Sequence, residues 1–289
     1  MFMGRPVVSL LWLLCCLAVT AQQSETASLL QGDYLIISNF CFMVRADLLS
    51  LPLELAEHRR SSDLAGVHIY FSKRPSMAGA GRVFEFGVDT GRCEVMFFSA
   101  IRGLFPKPLL GPTNQSMDAL SRLASRDLER LGISTNMLRL TVRRIVQLSA
   151  LSKRGLAEFG WLRCEQGCEF KHDMVRLVYD AIDGELIAFR KVWGEAPTDW
   201  DIQIQVQQAK GAAIMHLTRR FGIAGVVQVG EAKLAVVRPN DFFGASVKGP
   251  AIRRLAWVIP APKQPEVQYG LEIWINAKTC EVLGGDVLL

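Results

Sequence analysis

The sequence predicts an α+β fold in which a helix followed by a meander of antiparallel strands recurs along the chain. Three observations lead there. A strand–turn–strand pattern occurs three times, helical stripes lie upstream of its second and third copies, and further strand-like runs separate each helix from its hairpin.

The three copies read RVFEFGVDTGRCEVMFF (82–98), MVRLVYDAIDGELIAF (174–189) and YGLEIWINAKTCEVLGG (269–285). Each has an apolar strand, then Asp or Asn, three residues, Gly or Cys, a Glu and an apolar pair. The anchors Asp89, Asp180 and Asn276 are spaced by 91 and 96 residues, so the period is that of whole units rather than of a solenoid. Val178-Tyr179 and Ile273-Trp274-Ile275 carry the β-branched and aromatic bias of sheets. A terminal Asp or Asn can accept from the backbone two residues on and close a turn. Gly184 then supplies an inexpensive positive φ. Cys93 and Cys280 stand at the equivalent position in the other copies, and Gly91 gives the first copy an alternative way to close. The motif therefore predicts a tight turn between paired strands, not an active-site loop.

Upstream of the second hairpin, SMDALSRLASRDLERLGI offers Ser116 and Asp118 as caps. Leu120, Leu123, Leu128 and Leu131 form a stripe, and Gly132 is a stop. DWDIQIQVQQAKGAAIMHLTRRFGI does the same before the third, with Gly222 as its stop, although DIQIQVQ alternates with period two and fits a strand as well. LRLTVRRIVQL and GVVQVGEAKLAVVRP read as strands. In the first unit DYLIISNFCFMV reads as a strand, and DLLSLPLELAEHRR as a helix compromised by Pro52. The Pro/Gly stretches GLFPKPLLGPTN and WGEAPTDW are natural boundaries. These divide the chain into a leader at 1–21 and units at 22–112, 113–196 and 197–289.

YDAIDGELIAF and INAKTCEVLGG resemble the ending of PepSY-type domains, a strand followed by Asp-Ala, two residues, Gly-Glu and an apolar pair. The segment running to LAWVI adds to the likeness, which covers 117–289 and only the terminal hairpin of the first unit. Asn276 and Cys280 depart from the pattern. The resemblance implies tandem cystatin-like units, each a helix on a curved antiparallel sheet. It also implies a non-catalytic role in binding or restraining a partner, such as a secreted peptidase or an envelope protein. No peptidase module follows, which argues against a covalent propeptide.

Arg5, the 13-residue apolar run VVSLLWLLCCLAV, and Val19 and Ala21 before Gln22 predict a secretory signal segment too short to span a bilayer. The expected mature chain of about 268 residues is exported to the periplasm or beyond, without stable membrane insertion, and is long enough for two or three cores. Hydrophobic residues make up 50% of the chain, so a packed interior is the expectation and disorder is not. The net charge of +5 comes from scattered pairs such as Arg59-Arg60, Arg143-Arg144, Arg219-Arg220 and Arg253-Arg254, read as solvated edges. No single basic face points to nucleic acid.

Five cysteines follow the leader: Cys41, Cys93, Cys164, Cys168 and Cys280. Export makes a Cys164–Cys168 disulfide across a short hairpin the favoured reading, with Cys41–Cys93 a second candidate. Two alternatives remain for the first pair. One is a pair of free thiols, and the other is zinc ligation with His172 if CEQGCEFKH were helical, which Gly167 opposes. Cys93 and Cys280, at matching turn positions, also fit small buried hydrophobes. His58, His68, His172 and His216 lack metal spacing, and His216 reads as a structural helix residue. Asp89-Thr90-Gly91 lacks the second copy that an aspartic dyad needs, and SMAGAGRV reads as a loop. No catalytic residue and no cofactor is predicted.

Overall fold

The computed structural model describes residues 31–49, 52–61, 64–72, 83–101, 115–147, 155–243 and 252–288. The leader at 1–21, GLFPKPLLGPTN and all of SMAGAGRV except Val83 lie outside them. Helix α1 covers 31–44, α2 Met117–Arg130 and α3 Val206–Phe221. Four strands follow each helix. They are β1 (Leu53–Ser61), β2 (Leu64–Ser72), β3 (Val83–Asp89) and β4 (Glu94–Ile101), then β5 (Leu138–Gln147), β6 (Gly155–Glu165), β7 (Cys168–Asp180) and β8 (Leu186–Val192), and finally β9 (Lys233–Val237), β10 (Arg254–Ala261), β11 (Gly270–Asn276) and β12 (Val282–Leu288).

All strands join one mixed 12-stranded sheet in the order β1-β2-β3-β4-β8-β7-β9-β10-β11-β12, with β6 and β5 branching from β7. The branch is possible because β7 is 13 residues long. Met174 to Tyr179 pair with β8, while Glu169 and Phe170 pair in parallel with Ala235 and Val236 of β9. Elsewhere neighbouring strands are antiparallel, as hairpin connections require.

The first unit corrects two expectations. Residues 33–44 are helical, not a strand, because Asp33, Ile37, Phe40 and Cys41 recur at helical spacing and are all buried. The helix candidate at 47–60 is a short 3-10 turn, Ala46–Leu48, followed by strand β1. Pro52 just before the strand ends any helix there. Ser116 caps α2 by accepting from the Ala119 N–H at 3.2 Å, and Gly132 leaves it with φ 68°. A capping box between Gln205 and Gln208 starts α3 at Val206. Residues 201–205 join no strand, and Ile204 packs into the core beneath α3. Of GVVQVGEAKLAVVRP, only Lys233–Val237 is paired.

Ile37 and Phe40 of α1 share one core with Leu120, Ala124 and Leu128 of α2, packed on Phe86, Phe98, Phe159, Leu177 and Phe189. Ala209, Ala213 and Leu217 of α3 cover Ile259, Ile273 and Ile275. The opposite face of that sheet buries Val237, Val258 and Trp274. Cys168, Phe170, Val236 and Leu255 form a fourth cluster where β7 meets β9.

Candidate functional site

All three copies of the repeated motif are β-hairpin turns. Asp89 Oδ1 accepts from the N–H groups of Gly91 (2.9 Å) and Arg92 (3.2 Å). Asp180 Oδ1 accepts from Ile182 (2.9 Å), and Asn276 Oδ1 from Lys278 (2.8 Å) and Thr279 (3.2 Å). Only a short side chain with an acceptor oxygen is needed, which is why Asn replaces Asp. Four residues on, Cys93, Gly184 and Cys280 have φ of 53°, 74° and 64°. The cysteines thus hold a left-handed conformation that glycine would adopt without steric cost. The Asp89-Thr90-Gly91 triplet is part of the first turn.

The disulfide expectations are corrected: Cys41, Cys93, Cys164, Cys168 and Cys280 are all free thiols. Gln166 and Gly167, both with positive φ, make a two-residue turn between β6 and β7. Across it Cys164 pairs with Glu169 and Cys168 with Glu165. Side chains alternate along a strand, so the two thiols leave the ladder on opposite faces. Cys41 lies in the core on α1, while Cys93 is exposed at the β3–β4 turn. Burial pushes the Cys41 thiol up to about 11 and also raises Cys164 and Cys168, so burial works against the thiolate at each. Cys280 packs against the core beneath α3, whereas exposed Cys93 does not act as a buried hydrophobe. His172 lies on strand β7 four residues from Cys168, about 13 Å along an extended chain. That separation is too long for both to ligate one zinc ion.

His172 instead packs edge-on against Trp274 at 5.3 Å, and among the described residues neither His172 Nδ1 nor Trp274 Nε1 has a partner. Burial and neighbouring Lys171 hold the imidazole below its ordinary value. His216 packs on Phe243 at 5.0 Å, and among the described residues its Nε2 has no partner. Sequence reasoning missed a buried triad in which Tyr70 OH donates to Asp33 Oδ2 at 2.6 Å and His68 Nδ1 meets the same oxygen. It ties α1 to β2, and its three members come from elements misassigned in sequence or far apart in it.

Arg253 is not a solvated edge residue. Its guanidinium lies against Gly194 and meets fully buried Asp173 Oδ1, with Nε at 2.8 Å. Asp173 Oδ2 accepts from Arg163 Nη1 (3.0 Å) and the Gly194 N–H (2.9 Å). Arg163 also stacks on Phe170 and Trp193, and Glu165 neutralises it. This cluster clamps β6 and β7 to the residue that leads into β10.

Two features of the sheet can accept a partner. Among the described residues β5 pairs with β6 alone, leaving a ten-residue edge on which Leu140 and Val146 are exposed. The second is a groove of about 650 Å³ on the face of the sheet opposite α1 and α2, at the β4–β8 seam. Val67 and Ile69 of β2, Phe97 of β4 and Val178 of β7 line it with Ser99 and Ala188. Gly87 positions Phe97: a Cβ there would sit 2.1 Å from the ring, so only glycine lets the aromatic lie across β3. Arg176, Arg190 and Lys191 close one side. No catalytic signal reaches these residues in the sequence; only the period-two alternation of small and apolar residues marks the face.

The structure is an α+β protein built on one large mixed sheet. No family model matches the chain, and no curated protein matches it. Among solved structures it is similar to the Bacillus megaterium YpeB C-terminal domain, at 13% sequence identity and a TM-score of 0.45, over 88% of this chain and 96% of that one. Among the described residues no helix is long and apolar enough to cross a membrane.

Proposed function

We propose that the protein is an exported, non-catalytic binding module made of tandem cystatin-like units, a first α+β unit at 22–112 followed by PepSY-like units at 113–196 and 197–289. It acts by binding a protein partner in the cell envelope or outside the cell, a secreted peptidase being the first candidate. The observation that carries this reading is the free edge of β5. Among the described residues, its ten residues of extended backbone pair on one side only, and Leu140 and Val146 stand exposed. Such an edge receives an extended segment by strand addition, with backbone hydrogen bonds for affinity and side chains for register. The three hairpin turns and the recurrence of one helix with four strands support the tandem reading.

A scaffold role is the second reading, favoured by the continuous sheet and the Asp173 clamp. Tagged protein incubated with envelope and culture fractions of its source separates the two. Strand addition predicts a recurrent partner, lost when Leu140 and Val146 are both replaced by Lys and inhibited by the wild-type chain if it is a peptidase. A partner retained equally by the double variant refutes strand addition at β5. Recovery of only the protein itself or wall components makes the scaffold the better description.

A further inference from the structure

We infer that the groove at the β4–β8 seam is a separate ligand site for a single acyl chain carrying a terminal anionic group, with the carboxylate of a fatty acid as its defining chemistry. This goes beyond the binding of a protein partner at β5 and does not depend on it.

The volume, about 650 Å³, falls within the range of small-molecule sites, and the walls are mainly apolar. What the groove lacks selects the ligand. It crosses the middle of the sheet, where β2, β3, β4, β8 and β7 already pair with one another on both sides. At the seam itself Phe97, Phe98 and Ser99 pair with Arg190, Phe189 and Ala188, so the backbone under the groove is committed to those ladders. An extended peptide laid there would bury its own amides without partners, a cost that a hydrocarbon chain does not have. Ser99 is the one hydroxyl among the described lining residues. The groove therefore solvates methylenes well and peptide groups poorly.

The charge at its rim is unbalanced in one direction. Arg176 and Arg190 stand directly opposite each other on β7 and β8, an arrangement of like charges that destabilises a strand pair. Arg176 has Glu158 at 2.9 Å, and Lys191 pairs with Glu94. No carboxylate among the described residues pairs with Arg190, which is exposed beside Phe97. An anion placed between Arg190 and Arg176 would relieve the repulsion and make charge-assisted hydrogen bonds, while its chain ran over Phe97, Ala188 and Val178. Apolar floor, paired backbone at the seam and a guanidinium uncompensated among the described residues together specify an amphipathic anion.

Calorimetric titration of the purified chain with laurate, dodecanol and dodecyltrimethylammonium, each below its aggregation concentration, tests this. Laurate is expected to bind once per chain and at least about tenfold more tightly than dodecanol, the gain of one hydrogen bond to a charged group. Arg190→Ala should bring laurate to the dodecanol level and leave dodecanol unchanged. Ala188→Trp, which fills the groove from an outward-facing position, should remove both. The Leu140/Val146 double Lys variant should bind laurate normally, so failure at β5 and failure here are distinct results. The inference is overturned if laurate binds no better than dodecanol or dodecyltrimethylammonium, or if Arg190→Ala leaves its affinity unchanged. It is also overturned if an apolar peptide with a free C-terminal carboxylate displaces laurate at lower concentration than laurate itself requires.

Discussion

Replacing Asp173 with Ala is expected to loosen the third set of strands from the second. The carboxylate is fully buried and serves Arg163, Arg253 and the Gly194 N–H at once. Arg163 and Arg253 side chains are 6% and 12% exposed, so neither guanidinium can recover its hydration in place. With the carboxylate gone, Glu165 remains for Arg163, and among the described residues no acid pairs with Arg253. Breaking one partner out of a buried ionic cluster costs about 3–5 kcal/mol, because an uncompensated charge stays behind. For a chain of this size that corresponds to a fall in melting temperature on the order of 10 °C. Urea unfolding followed by tryptophan fluorescence measures it, since Trp193 lies over Arg163. The double variant Asp173→Ala with Arg253→Met removes the stranded cation, and should be more stable than Asp173→Ala alone. A single-variant loss below about 1 kcal/mol, or effects that add to within about 0.5 kcal/mol, would refute the clamp.

Cys93→Gly should stabilise the protein by about 1 kcal/mol, because the residue is exposed and its φ of 53° burdens an L side chain; an unchanged or lower unfolding midpoint in urea would count against this. The His172 imidazole is held below its ordinary value, so the unfolded chain takes up the proton first on acidification. Its share of stability is present above about pH 6.5 and is lost as pH falls from there toward the lowered folded value. His172→Gln should flatten that part of the stability–pH profile, and thermal melts of both proteins between pH 7.5 and 5 decide the matter.

Local chemistry made the hairpins legible. Asp89, Asp180 and Asn276 accept from the backbone two residues on, and the left-handed position follows at a fixed interval, so each turn is written in about five consecutive residues. The same holds for α2, whose cap, stripe and terminal glycine are contiguous, and for the end of α3 at Gly222, whereas the start of α3 fits a strand as well in sequence. Residues 33–44 misled because Ile, Phe and Val are equally at home in a buried strand. Their helical state is set by packing Ile37, Phe40 and Cys41 against a core drawn mostly from residues beyond position 80.

What the sequence by itself determined was therefore the set of turns, two of the helices and the α+β class, since each depends on contacts within a few residues. Only the tertiary structure decided that the strands form one sheet, because β4 meets β8 and β7 meets β9 through contacts set by long-range packing. The same pairings bring Arg190 beside Phe97, and the fold brings Arg253 against Asp173, residues 93 and 80 positions apart. Charges at such separations look solvated in a sequence; whether they are buried, clamped or left uncompensated is fixed when strands from distant segments come into register.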